Sequence, residues 1–256
     1  MTPTQLSQAV LRSVRGAVDG GELRVAVPER VTVRRPPRHV GAHAWSTGIA
    51  LRLAGPAGLP APEVARLLRR RLVAEPGVAE VNVTGGGFLT IALADDAEAA
   101  FLRAILAAPP APSLPEDPAL DAARWAAVAG GDPHGALLVQ REENPLFLVR
   151  YARARCAGLA RAAEALGVRP EPGAAPLQLP AERELLTALG DGGRPAARLT
   201  AVADALLTVE ALRPTLPVGD EKPGAVHRAR LALAQATGTV LADGLHALGV
   251  SAPERL

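Results

Sequence analysis

Residues 143–167 read ENPLFLVRYARARCAGLARAAEALG, and the period of their apolar positions decides the architecture of the second half of the chain. Leu148, Ala152, Leu159, Ala163 and Leu166 fall on one stripe, because residues three, four and seven apart share a helix face. Three more stripes follow: Leu185, Leu186 and Leu189; Leu199, Val202, Leu206 and Val209; then Leu231, Leu233, Val240, Leu241, Leu245 and Leu248. Pro170, Pro180, Pro195, Pro214 and Pro223 mark the breaks between them, since proline lacks the amide hydrogen a helix interior needs. Residues 144–256 therefore read as four or five helices in an antiparallel bundle.

Upstream the periods are mixed. Leu6, Val10, Leu11, Val14 and Val18 predict an opening amphipathic helix with Arg12 and Arg15 on its polar face. Leu23, Val25, Val27, Val31 and Val33 predict short strands, and the run Arg34, Arg35, Pro36, Pro37, Arg38, His39 an exposed basic loop. A helix from about Ser46 to Ala54 comes next, then one with Val64, Leu67, Leu68 and Leu72 buried and Arg66, Arg69 and Arg70 outward. Val78, Val81, Val83 and Phe88, Ile91, Leu93 flank Gly85, Gly86 and Gly87, the pattern of a hairpin closed by a glycine turn. The expected fold is an α+β N-terminal domain over 1–107 followed by an all-α helical bundle. Between them, residues 108–143 have the proline, glycine and acidic content of a linker, interrupted by a short helix around Leu120–Val128 that carries Trp125.

Composition narrows the function classes. A chain of 256 residues with 48% hydrophobic and 21% charged residues can bury a core without staples. One cysteine, Cys156, excludes an internal disulfide, and five scattered histidines give no metal cluster. No metal and no cofactor is expected. The first residues lack a secretory pattern and no apolar run reaches the length of a membrane span, so the expected location is cytoplasmic, with no membrane partner. Net charge is only +2, but it is unevenly spread. Residues 1–94 hold twelve arginines against six carboxylates, whereas 108–143 hold two against six. A basic first domain suits a polyanion.

The stretch quoted above resembles the opening helix of the DALR anticodon-binding domain of arginyl-tRNA synthetases. Asn144, Pro145, Val149, Tyr151, Ala152, Ala154 and Arg155 match its N-P-x-x-x-V-Q-Y-A-x-A-R pattern. Ala242–Leu256, ADGLHALGVSAPERL, is similar to the terminal helix and tail of the same domain. Independently, IALRLAGPAGLPAPEVARLLRRRL and PGVAEVNVTGGGFLTIAL resemble the N-terminal additional domain of those enzymes, with Gly85–Phe88 standing where the family reads G-P-G-F. The family places a Rossmann-type catalytic domain with HIGH and KMSK motifs between these modules. Only the 36 residues 108–143 occupy that gap, while one βαβ unit takes roughly 30 and a nucleotide site needs more than one. His39-Val40-Gly41-Ala42-His43 imitates HIGH but has an extra residue before its second histidine. The resemblance thus implies a catalytically inactive paralogue that binds tRNA, arginine tRNA among the candidates, or a tRNA-like RNA.

It also nominates contacts. In the first domain these are Arg34, Arg35, Arg38 and His43 for phosphates and Trp45, at the aromatic position of the family's G-D-[YF]-x-x-N, for stacking. Ala44 and Gly48 replace its aspartate and asparagine. In the bundle the candidates are Arg150, Tyr151, Arg153, Arg155 and Arg255, while Ala205–Glu210 replaces the family's aromatic A-F-N-x-F-Y helix with aliphatic residues and a carboxylate. For Trp45, Tyr151 and Arg155 packing or an internal ion pair is the competing role, and for Cys156 a place in the core. Loss of the catalytic domain would also uncover apolar surface, to be covered by the modules themselves, a homodimer or a protein partner. The alternative function is a protein-interaction module that docks on a synthetase or biosynthetic enzyme. A small-molecule enzyme finds no nucleophile, base or metal cluster.

Overall fold

The computed structural model describes residues 3–34, 44–94, 96–191 and 193–256. It divides into two units, Met1–Ala97 and Glu98–Leu256, each built on its own cluster of buried apolar side chains.

In the first unit α1 (Pro3–Asp19) turns Leu6, Val10 and Val14 fully inward. Then come β1 (Ala44–Thr47), α2 (Ile49–Ala57), α3 (Ala61–Leu72), β2 (Val78–Thr84) and β3 (Phe88–Leu93). The strands form an antiparallel sheet in the order β1-β3-β2, with Trp45 and Val81 both registered on Ile91. Leu89 and Ile91 of the central strand meet Val64, Leu68 and Leu72 of α3 and Ile49 and Leu53 of α2 in one core. The hairpin turns on Gly85, Gly86 and Gly87, all at positive φ (47°, 75° and 132°), a region open to glycine and strained for other residues. Gly87 has a second reason to be glycine: a Cβ there would sit 2.9 Å from the Cβ of Ala61.

Two local expectations change. The stretch from Leu23 to Val33 forms no strand; one bridge, Arg34 with Ser46, is the ladder contact it leads into. Leu23 and Val31 are buried all the same, so alternation here reflects apolar side chains dropped into the core from irregular backbone. The helix expected from Ser46 starts instead at Ile49, because Ala44–Thr47 pairs along Leu89–Ala92.

The second unit begins within α4 (Ala97–Leu106) and continues through α5 (Pro118–Ala129), α6 (Pro145–Ala165), α7 (Pro180–Gly190), α8 (Pro195–Leu212) and α9 (Ala225–Ala247). Proline stands at the start of α5, α6, α7 and α8, where its missing N–H would have no partner anyway. Asn144 caps α6 by accepting the amides of Leu146 and Phe147, and its own amide donates to the carbonyls of Leu137 and Val139. α6 packs on α8 and α9, and α7 on α8. At the start of α7 the buried Glu182 accepts the amide of Leu179 and the Nε–H of Arg230, at 3.0 and 2.7 Å, which ties α7 to α9.

The expected boundary at 107 and the observed division differ by one helix. α4 carries Leu102 into the core of the second unit, with Phe101, Ile105 and Leu106 packed against it. The expected linker is also more ordered than its composition suggests. α5 spans its centre, Trp125 is 0% exposed, and Leu137 of the following 3-10 turn (Ala136–Leu138) is buried beside the same cluster. The short helix read around Leu120–Val128 is there, as Pro118–Ala129, and it buries Asp121, Ala122 and Trp125.

Candidate nucleic-acid interface

Of the candidates in the first unit, Arg35, Arg38 and His43 lie outside the described residues. Arg34 is exposed, and its backbone N–H and C=O pair with Ser46 at 2.8 and 2.7 Å. That bridge fixes Arg34, the first residue of the basic run, against the strand bearing Trp45. Trp45 is half-buried and packs against the core. One exposed aromatic was not singled out from the sequence: Phe88, at the exit of the glycine turn, is 43% exposed beside Gly48, where a Cβ would lie 3.2 Å from its ring. The glycine run before it was the signal that could have found it, since a tight turn lifts the next side chain to the rim.

The second unit sorts its candidates by what already holds them. Arg150 is largely buried and its Nη2 reaches Ser251 Oγ at 3.3 Å, Glu116 at 3.4 Å and Asp121 at 4.0 Å. Asp121, 1% exposed, in turn accepts the amide of Ser251 at 2.9 Å and its hydroxyl. Arg124 of α5 donates to the carbonyl of Gly249. Arg153 pairs with Glu254 at 3.0 Å, and Arg161 donates to the Glu254 carbonyl at 3.3 Å. Arg150 and Arg153 are therefore taken up in clamping the residues after α9 onto α5 and α6. Sequence spacing gave no hint of this, because the partners lie about a hundred residues away.

Along another line of α6, Phe147, Tyr151 and Arg155 follow one another at four-residue spacing, which places them on one face. Phe147 and Tyr151 stack with ring centroids 5.9 Å apart at 27°, and Tyr151 is 44% exposed. Arg155 donates through Nε and Nη2 to one oxygen of Glu210 on α8, at 3.2 and 2.9 Å. The other Glu210 oxygen accepts the hydroxyl of Thr215. Arg255 is exposed near the end of the described chain. Cys156, next to Arg155 in sequence, is buried and its thiol is pushed up to about 12, first by burial. Arg153 and Arg155 pull it down and Glu210 pushes it up further, by smaller amounts.

Among the described residues no cluster of three or more His, Cys, Asp or Glu side chains could hold a metal, and no helix is long and apolar enough to cross a membrane. The helical unit offers a ligand an aromatic pair beside an arginine on α6; the first unit, by itself, offers the exposed Arg34 held by a backbone bridge to the strand of Trp45.

Residues 215–256 match the DALR anticodon binding domain family. The chain is also similar to arginine–tRNA ligases. That of Renibacterium salmoninarum is 48% identical over 103 residues, or 39% of this chain and 18% of the ligase. That of Kineococcus radiotolerans is 41% identical over 114 residues, covering 43% and 20%; that of Frankia alni is 39% identical over 108, covering 42% and 19%. The similarity falls in the C-terminal part of the chain, and the match spans about a fifth of the length of these relatives.

Proposed function

Since the C-terminal part of this chain is homologous to arginine–tRNA ligases and carries a DALR anticodon binding domain, we propose that the protein is a catalytically inactive relative of those ligases that binds tRNA or a tRNA-like RNA in the cytoplasm. The homology of the helical unit is the observation that carries this reading. Stacked aromatics beside an arginine on α6 support it, because unpaired bases are held by ring and guanidinium faces. Tyr151 and Arg255 are the contacts assigned to the helical unit, with Arg155 beside them held by Glu210; Arg34, Arg35, Arg38, His43 and Trp45 are those of the first. Arg150 and Arg153 act indirectly, by fixing the tail on which Arg255 stands. Aminoacylation is left out of the proposal because residues 108–143 hold one twelve-residue helix and a single 3-10 turn, too little for a nucleotide-binding fold.

The test is a salt titration with purified protein against arginine tRNA, an unrelated tRNA and an RNA duplex. Binding should fall with a log–log slope of several units, as expected when several phosphates are neutralised, and tRNA should be preferred to the duplex. Equal affinity for all three, or none near physiological salt, would sink the reading. One observation favours a protein-docking role instead: Leu120 and Val128 on α5 and Leu138 and Val139 after it are 39–50% exposed. A partner bound through these side chains would stay bound at high salt.

A further inference from the structure

Resting on the RNA-binding reading above, we infer that Glu210 is a gate on that site: it holds the charge of Arg155 in reserve and keeps it from RNA phosphate.

The inference comes from an asymmetry of burial across one ion pair. The Arg155 side chain is 49% exposed, whereas the Glu210 side chain that holds it is 10% exposed. The carboxylate is fully engaged, taking two N–H groups of Arg155 on one oxygen and the Thr215 hydroxyl on the other. Thr215 is itself 2% exposed, so the acceptor is anchored from below while the cation lies at the surface. Arg150 is itself only 13% exposed, with the buried Asp121 4.0 Å away, and so brings no surface cation to its buried acceptor; the remaining pairs of the α6 arginines run the other way. Glu254, partner of Arg153 and Arg161, is 65% exposed, and Glu116, partner of Arg150, is 60% exposed. An exposed carboxylate released by its arginine is taken up by water at little cost. A buried one released by its arginine keeps an uncompensated charge in a poor solvent, which costs far more. A phosphate arriving beside Tyr151 therefore meets an arginine that cannot leave its partner and a pair that is electrically neutral. The stacking platform of Phe147 and Tyr151 remains open, while the adjoining charge contributes no counterion release.

The gate predicts a gain of function. In a salt titration with an unmodified arginine tRNA transcript, Glu210→Gln should steepen the log–log slope by about 0.7–0.9, the contribution of one added phosphate contact. Near 0.15 M salt it should tighten binding about fivefold by the same relation. The double variant Glu210→Gln with Arg155→Gln should return slope and affinity to the wild-type values. Glu164→Gln, which removes an exposed carboxylate from the same helix, should leave the slope unchanged. If Glu210→Gln fails to fold, judged by its thermal transition, Glu210→Leu gives the same unpaired arginine in a form suited to a buried position. An unchanged or shallower slope in the folded variant, or a gain that survives in the double variant, overturns the gate while leaving RNA binding in place. Absence of binding by wild type and variants alike overturns the gate and the RNA reading together.

Discussion

Cys156 shows how one position on α6 carries both packing and charge. Its side chain faces the buried side of the helix, one residue from Arg155, and burial raises its thiol from an ordinary value near 9 to about 12. Between those values the folded protein keeps a proton that the unfolded chain has released. Stability contributed by the neutral thiol is complete below about pH 9 and is lost as pH rises toward 12, by about 1.4 kcal/mol per pH unit. Denaturant unfolding of wild type and Cys156→Ala between pH 8 and 11 should therefore show a steeper alkaline decline for the wild type; parallel curves would refute it. Arg155 is the residue whose sequence reading stayed open. Its fit to the family motif was visible, and so was a carboxylate at 210, but the Thr215 anchor and the unequal burial of the pair were not, because they depend on how α8 leans on α6.

Elements were the most legible scale. The stripes of α8 and α9 are buried largely as read, and the glycine hairpin closes where expected, since periods of 3.6 and 2 are written directly into apolar spacing. Contacts between helices are another matter. Gly238 sits in the middle of α9, where alanine would ordinarily favour the helix by about 1 kcal/mol. A Cβ there would lie 2.9 Å from the Cβ of Cys156 on α6, closer than packed atoms tolerate. Gly238→Ala should accordingly destabilise the protein, by about 1–3 kcal/mol as for other overpacked cores. A stability equal to or above the wild type in denaturant titration would show that the two helices can part without penalty. Gly55 in α2, where an added Cβ would meet nothing within 4 Å among the described residues, has no such constraint, so sequence alone could not separate the two glycines.

At the scale of the molecule, the division at Ala97 and the capture of α5 follow from burial. Trp125, Ala122 and Leu102 belong to the same cluster as Leu146, Val149 and Leu206, and Asp121 binds Ser251 from 130 residues away. A fragment of residues 98–256 should give a single cooperative unfolding transition. A fragment of 144–256 loses Trp125 and leaves the Ser251 amide and Arg150 without their buried partner, so it should melt at clearly lower temperature or without cooperativity. Equal midpoints for the two would show that α5 is dispensable. The sequence by itself determined the fold class, the hairpin, the helical stripes and the likeness to arginine–tRNA ligases, because each rests on residues close together along the chain. Only the tertiary structure decided that the helix read in the acidic connector packs into the core, that Arg150 and Arg153 hold the tail, and that Glu210 holds Arg155. Those partners lie 55 to 130 residues apart, and no periodicity records which distant side chains share a buried space when helices pack.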